Sequence, residues 1–266
     1  MPAWATLVRA PNPGPMTLDG TNTWILRGRD ALGCVIVDPG PDDAAHLTEV
    51  AAHAPVELII VTHHHHDHTD GISGLSALLG GDVPVAAADP ALCHGVEPLR
   101  DGTTMRFAGL TITAYATPGH TADSICLLVE GEAADDRAMV TGDTILGRGT
   151  AVVAWPDGDL GAYLTSLDRL TAYSGVPALV GHGPALPDCG AIAAAYRTHR
   201  DQRLHQVRDA LAAGARTPAD VVAHVYPDLD AALAPAAEWT VRAALAQLAP
   251  STAEVADRPT TEGAPA

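Results

Sequence analysis

The stretch Thr62-His63-His64-His65-His66-Asp67-His68-Thr69-Asp70-Gly71 decides how the rest of this 266-residue chain is interpreted. It follows directly on Leu58-Ile59-Ile60-Val61, a short apolar run that is typical of a buried strand. The chain therefore leaves a strand end and at once presents imidazoles and carboxylates in the spacing His-x-His-x-Asp-His. Neutral imidazole and carboxylate are ligands that zinc takes in catalytic sites. The stretch therefore predicts a metal site at the end of this strand.

Two groups of side chains can be distinguished within the stretch. Residues two apart in an extended segment point to the same side, so His63 and His65 can bind one ion together. Asp67 and His68 follow a turn later and can face a second ion. The histidines at the two intervening positions are interpreted as bystanders: His64 and His66. The alternative for the whole stretch is a fortuitous histidine tract or a metal-binding run of low specificity.

Three downstream motifs decide between these alternatives. Each follows a strand-like run, at 110–116, 138–140 and 178–180, and each carries one further histidine or aspartate. The motifs are Thr117-Pro118-Gly119-His120-Thr121, Thr141-Gly142-Asp143 and Gly181-His182-Gly183. A lone histidine after a strand is usually a core residue, and a lone Gly-Asp is usually a turn. All three motifs in this order indicate one shared site instead.

Together these motifs resemble those of the metallo-beta-lactamase superfamily. Further stretches resemble its beta-lactamase-like protein two subfamily, which is glyoxalase II-like. They are Pro13-Gly14-Pro15-Met16-Thr17-Leu18-Asp19-Gly20-Thr21-Asn22-Thr23-Trp24, Asp143-Thr144-Ile145-Leu146-Gly147-Arg148-Gly149-Thr150 and His199-Arg200-x-x-Arg203. The similarity extends over most of the chain, from the first of these stretches into the helical end.

The resemblance implies an α+β fold, a four-layer αββα sandwich in which two sheets pack face to face with helices outside. It also implies a small C-terminal helical domain that is winged-helix-like. Hydrophobic periodicity alone predicts only mixed helices and strands. We expect a metal-binding catalytic domain over 1–187, the helical domain over 188–249 and a disordered tail over 250–266. The last segment is polar and almost without apolar anchors, which favours disorder.

The resemblance further implies the ligands and the cofactor, two zinc ions. The implied ligands are His63, His65 and His120 for one ion, Asp67, His68 and His182 for the other, and Asp143 as a bridge between them. Asp67 and Asp143 are the implied catalytic carboxylates. A hydroxide shared by two ions about 3.5–4 Å apart would attack an ester-type substrate, either a thioester or a phosphodiester. Iron or manganese in place of zinc is left open.

Four residues outside the ligand set are predicted to contact the substrate: Thr21, Asn22, Arg200 and Arg203. For the first two, which lie in a glycine-rich loop, turn formation is the alternative. The arginines lie on a helix predicted from Asp188 to Ala213, where a solvated face is the alternative. The resemblance leaves three activities open: thioester hydrolysis, cleavage of single-stranded RNA as in animal relatives, and the oxidoreductase chemistry of diiron members.

The charge balance narrows the partners. The formal net charge is −17, and all fifteen basic residues are arginine, which removes a P-loop lysine and a Schiff-base lysine. Such acidity disfavours RNA, so a small anionic or ester substrate is the expected partner, and a homodimer is left open. No apolar run is long enough to span a membrane, and the start Met1-Pro2-Ala3-Trp4 lacks the features of a signal peptide. A cytoplasmic location without membrane contact is therefore expected.

Overall fold

The structure is a computed structural model that describes residues 1–133 and 135–249. Within them lie two five-stranded sheets. The first has the order β1 (Ala5–Arg9), β2 (Asn22–Leu26), β3 (Cys34–Val37), β4 (Val56–Ile60) and β5 (Val85–Ala86). The second has the order β10 (Ala178–Val180), β9 (Arg137–Gly142), β8 (Ile125–Glu130), β7 (Leu110–Ala116) and β6 (Thr104–Phe107). The predicted tail at 250–266 lies outside the described residues.

Seven α-helices accompany the sheets within the described ranges. They are α1 (Ala44–Ala51), α2 (His66–Thr69), α3 (Gly71–Leu78), α4 (Leu160–Leu170), α5 (Cys189–Ala212), α6 (Pro218–Val225) and α7 (Ala234–Leu248). Several begin where the sequence supplies a cap. Asp43, Asp159 and Asp188 each accept a hydrogen bond from a backbone N–H in the first turn of α1, α4 and α5. None of these helices is long and apolar enough to cross a membrane.

The core has layers because each sheet is apolar on both faces. Leu58 and Ile60 of β4 belong to a cluster shared with the second sheet, where Ile112 and Leu127 lie. Ile59, which points to the other face, packs with Leu47 and Leu75 of the first helix layer. The outer face of the second sheet packs similarly against α4 and α5. This arrangement confirms the predicted four-layer αββα sandwich.

The helical end of the chain shares one core with the sandwich. Residues of α6 and α7, such as Val221 and Val241, belong to the same buried cluster as Met139 of the second sheet. Helix α5 connects the two parts, since it packs on both α4 and α6. The Thr217 side chain caps α6, and the Asp220 carboxylate accepts from the Thr217 backbone N–H, as the start rules predict. The domain boundary at 187/188 stays a prediction.

The topology brings the predicted ligand motifs to one edge. Strands β7, β9 and β10 run in the same direction, because β7 and β9 are both antiparallel to β8 and β10 is parallel to β9. Their carboxyl ends therefore meet at the same edge of the second sheet. The carboxyl end of β4 reaches this edge from the first sheet, where Thr62 O accepts from Ile125 N at 2.9 Å. The loops after these four strands carry all the predicted ligands.

Candidate metal centre

Seven predicted ligands lie together at this edge. They form three overlapping groups whose ligand atoms lie within 4.8 Å of one another: His63, His65 and His120; His63, His68 and Asp143; and Asp67, His68 and His182. Most of these side chains are buried, whereas His65 and Asp67 are partly exposed. The cluster is therefore closed on the side of the sheets and open to solvent on one side.

Two of these groups share no residue and are called the first and the second group. The first group, formed by His63, His65 and His120, consists of three imidazoles. His63 Nε2 lies 3.0 Å from His65 Nδ1, and His120 Nε2 lies 3.1 Å from the same nitrogen. The second group, formed by Asp67, His68 and His182, joins two imidazoles to one carboxylate. His182 Nε2 lies 3.2 Å from His68 Nε2 and 3.2 Å from Asp67 Oδ2. Three ring nitrogens and a mixed imidazole–carboxylate group thus lie side by side.

Asp143 lies between the two groups. Its Oδ2 is 3.2 Å from His182 Nε2 and 3.8 Å from His120 Nε2, so one carboxylate reaches a member of each. Its Oδ1 is buried and has no hydrogen-bond partner among the described residues. An unsatisfied buried oxygen costs on the order of 1–3 kcal/mol, and a cation would remove that cost. The donor set of imidazole and carboxylate fits a first-row divalent metal.

The electrostatics of the cluster separate its members. Burial opposes a charge on His182, but the Asp143 and Asp67 carboxylates outweigh burial and raise its pKa to about 10. Burial also opposes ionisation of Asp67, yet the hydrogen bond to His182 lowers the pKa of Asp67 to about 2. Burial lowers the pKa of His65 to about 4, with a further contribution from His120. Without metal, the cluster therefore holds neutral imidazoles in the first group and an ion pair in the second.

The outer ring nitrogens of several candidate ligands contact protein groups. His68 Nδ1 lies 2.9 Å from Asp38 Oδ2, His120 Nδ1 lies 2.6 Å from the Val152 carbonyl oxygen, and His182 Nδ1 lies 3.3 Å from the Gly20 carbonyl oxygen. Such partners set the tautomer and orientation of a ligand and raise its basicity. In each case the other ring nitrogen, Nε2, faces the cluster.

Sequence reasoning missed Asp38. Its carboxylate accepts from Thr62 N and Thr62 Oγ1, both at 2.8 Å, so it holds the start of the ligand loop as well as His68. The available signal was an aspartate directly after the buried strand β3. Parallel pairing of β3 with β4 places that strand end beside the ligand loop.

The two predicted substrate residues at the start of β2, Thr21 and Asn22, contact protein groups. Thr21 is buried, and its hydroxyl donates to Asp67 Oδ2 at 3.0 Å. The Asn22 side-chain amide donates to the carbonyls of Val180 and Gly183, at 2.9 and 2.8 Å, on either side of His182. These bonds favour a role in holding the ligand loops. Contact of either residue with substrate stays a prediction.

The two predicted arginines differ from each other. Arg200 is only 3% exposed and donates to the Ala151 carbonyl, so its charge does not lie on a solvated face. Arg203 is partly exposed, and its guanidinium lies 4.7 Å from the centroid of the Tyr226 ring. Both line an open groove of about 420 Å³ between the 149–152 loop and the C-terminal helices. Their contact with substrate stays a prediction, and the contacts of Arg200 favour a structural role.

The two histidines that were interpreted as bystanders, His64 and His66, lie outside the three groups that the described residues form. His64 Nδ1 lies 2.8 Å from Asp123 Oδ1 at the rim of the cluster. The His66 side chain is 93% exposed and contacts Asp70. Neither imidazole belongs to any of the three groups.

Comparison with known proteins gives matches along most of the chain. A family model described as metallo-beta-lactamase superfamily matches residues 16–182, and one described as beta-lactamase associated winged helix domain matches residues 217–250. The second match confirms the winged-helix-like character that was expected of the C-terminal helices. The lactamase-like protein vrtG of Penicillium aethiopicum is 32% identical over 242 residues, covering 86% of this chain and 72% of that protein.

Other relatives carry more descriptive names. The beta-lactamase-like protein 2 homolog of Caenorhabditis elegans is 32% identical over 251 residues, covering 90% of this chain and 79% of that protein. The atrochrysone carboxyl ACP thioesterase of Aspergillus chevalieri is 33% identical over 210 residues, covering 77% of this chain and 64% of that protein. Among solved structures, a beta-lactamase domain protein from Burkholderia ambifaria superposes with a TM-score of 0.77 at 24% identity, covering 92% of this chain and 85% of that one.

Proposed function

The chain belongs to the metallo-beta-lactamase superfamily and is a metal-dependent hydrolase of it; from that premise we propose that it works with two zinc ions and cleaves thioesters. The observation that carries the binuclear part is the place of Asp143, whose carboxylate reaches both ligand groups. A single ion bound in one group would leave the clustered side chains of the other group without a bound ion.

The residues present have separable tasks in this proposal. When bound, the two ions would supply a nucleophile at neutral pH and polarise the oxygen of the scissile carbonyl. Asp38 holds His68 in the tautomer that leaves Nε2 towards the cluster, and the Val152 carbonyl does the same for His120. Thr21 donates to Asp67 and so keeps this partly exposed carboxylate turned inward. The open side at His65 and Asp67 is where a substrate would enter.

Three observations support a thioester over RNA. A relative that covers 77% of this chain is named as an ACP thioesterase. The net charge of −17 repels a polyanion, whereas a small substrate needs only one or two local cations. The groove between the 149–152 loop and the C-terminal helices adjoins His120 through Val152, and its volume of about 420 Å³ suits an acyl chain or a carrier arm.

The proposal predicts a ranking of substrates. Zinc-loaded protein should hydrolyse short acyl thioesters, such as acyl-glutathione and acyl-coenzyme A, with release of free thiol. It should cleave single-stranded RNA at least about tenfold less efficiently in kcat/KM, because repulsion of a polyanion slows association at low salt. Thiol release and RNA cleavage are measured on the same preparation, beside an iron-loaded sample offered a persulfide. RNA cleavage without thioesterase activity would replace the thioester with a phosphodiester, and activity confined to the iron sample would indicate the oxidoreductase.

Arg203 offers a test of how the substrate's carrier is recognised. Its guanidinium lies over the Tyr226 ring and donates to the Gln206 side chain at 2.8 Å and to the Val225 carbonyl at 3.4 Å. Because none of these partners is a carboxylate, it can turn to an anion in the groove. We predict that Arg203→Gln raises KM about tenfold for a thioester with a carboxylate or phosphate on its carrier and leaves kcat near wild type. A charge-assisted hydrogen bond is worth roughly 1.5–3 kcal/mol, which is the basis of that figure.

The control for Arg203 is Arg208→Gln, because Arg208 lies on the same helix with an exposed side chain. It should leave KM unchanged, and an uncharged thioester should show no difference between the variants. An equal rise in KM for charged and uncharged substrates would indicate that Arg203 serves packing against Tyr226 and does not bind the carrier.

A further inference from the structure

We propose that Arg200, assisted by Tyr163 and Tyr196, positions the segment 144–152 and through it tunes the metal affinity of the group formed by His63, His65 and His120. The inference rests on the proposed metal centre. It adds a residue of helix α5 to the groups that support this centre. It concerns a positioning role, since Arg200 does not contact a ligand side chain.

The segment 144–152 joins two members of the cluster. It begins directly after Asp143, and it ends at Val152, whose carbonyl oxygen lies 2.6 Å from His120 Nδ1. The segment has no regular secondary structure between these two points. Its conformation therefore depends on contacts made by other elements.

Three buried side chains from α4 and α5 hold the segment's backbone. The Tyr163 hydroxyl donates to the Thr144 carbonyl at 2.7 Å. The Tyr196 hydroxyl donates to the Leu146 carbonyl at 3.1 Å and accepts from the Leu146 N–H at 3.2 Å. Arg200 Nη2 donates to the Ala151 carbonyl, next to Val152. The two tyrosines therefore hold the end near Asp143, and Arg200 holds the end near His120.

The surroundings of Arg200 indicate that this contact is its main one. The side chain is 3% exposed, it forms no ion pair among the described residues, and its Nε is buried without a hydrogen-bond partner there. The guanidinium lies 5.3 Å from the centroid of the Tyr163 ring, which gives the charge a cation–π contact. A buried charge without a counter-ion is strongly disfavoured, so a neutral residue would serve packing better. The charged donor strengthens the bond to Ala151, because charge-assisted hydrogen bonds are the stronger ones.

The two ligand groups depend on the segment to different degrees. His120 takes its Nδ1 partner from the segment, whereas His68 and His182 take theirs from Asp38 and Gly20, which lie elsewhere. Loss of the Ala151 contact frees the adjacent Val152 carbonyl and with it the tautomer of His120. The expected consequence is a loss of affinity in one group and not in the other.

The test uses the full chain with Arg200→Met. This substitution removes the charge and the donors and leaves an unbranched, apolar side chain in the same place. Metal-depleted protein is titrated with Zn²⁺ by calorimetry, and the zinc-loaded form is studied by NMR of ¹⁵N-labelled imidazoles. We expect the affinity for one of the two zinc equivalents to fall about tenfold or more, as it does when other metal ligands lose the partner of their outer nitrogen. We also expect the His120 Nδ1 proton to exchange faster with solvent, while the His68 Nδ1 proton is unchanged.

Further variants keep the inference testable if Arg200→Met folds poorly. Arg200→Lys keeps the charge and a donor and should restore part of the affinity, and Tyr196→Phe should have a smaller effect than Arg200→Met. Arg197→Met is the matched control, because Arg197 pairs on the surface with Asp168 and Asp201 and should change nothing. Unchanged zinc affinities in the Arg200 variants, or equal loss from both equivalents with both imidazole protons altered, would overturn the positioning role. Wild-type protein that binds fewer than two equivalents would instead contradict the proposed binuclear function.

Discussion

Asp143→Ala is expected to lower kcat/KM for hydrolysis by at least about a hundredfold, because it removes a carboxylate that reaches both ligand groups. In the variant, two cations would face each other without the negative charge between them, so at least one equivalent of metal should be lost. Initial rates on the best thioester and elemental analysis of the same preparation measure both effects. The strands and the apolar clusters do not involve Asp143, so the melting temperature should change little once metal content is taken into account.

Two variants make this result specific. Asp143→Asn keeps the shape of the side chain but removes its charge, so it should resemble the alanine variant if charge is what matters. His66→Ala removes an imidazole from the same ligand loop whose side chain is 93% exposed, and it should retain activity within about twofold of wild type. Asp143→Ala protein that keeps both metals and hydrolyses within a few-fold of wild type would contradict the bridging assignment.

The clustering of the candidate ligands could be predicted because their residue types and their positions after strands agree. Each of the loops that carry them follows a short apolar run, and the carboxyl ends of parallel strands must meet at an edge of a sheet. The four-layer sandwich itself followed from the resemblance, since periodicity does not tell which of two sheets a strand joins.

Asp38 and Arg200 show what the sequence did not reveal. The partners of Asp38, Thr62 and His68, lie 24 and 30 residues away along the chain, and only the pairing of β3 with β4 brings them together. Arg200 was predicted to contact the substrate, with a solvated helix face as the alternative. It lies on the buried face of α5 with Leu204 and Val207. Helical periodicity groups residues on a side of a helix, whereas tertiary packing decides whether that side is buried.

Removal of metal is expected to lower hydrolysis of the best thioester by about a thousandfold or more, because a nucleophile at neutral pH requires a metal that lowers the pKa of bound water to about 7. Dialysis against a chelator, followed by removal of the chelator, gives the metal-free protein. Two equivalents of Zn²⁺ should restore activity, with one equivalent restoring only a small part. The melting temperature should rise on loading, since an ion that binds only the folded chain stabilises it by mass action.

The zinc affinity of the metal-free protein should also depend on pH, and the direction of this dependence follows from the charges in the cluster. In the metal-free protein the Asp143 and Asp67 carboxylates raise the pKa of His182 to about 10, so this imidazole holds a proton at pH 7 that an ion must displace. Burial lowers the pKa of His65 to about 4, so that imidazole is neutral at pH 7 and releases no proton when an ion binds. Zinc affinity should therefore increase as the pH rises from 6 to 8, and calorimetry in buffers of different ionisation enthalpy should detect proton release. Affinity that is independent of pH over this range would contradict His182 as a ligand, and full activity of the metal-free protein would contradict a metal-dependent reaction.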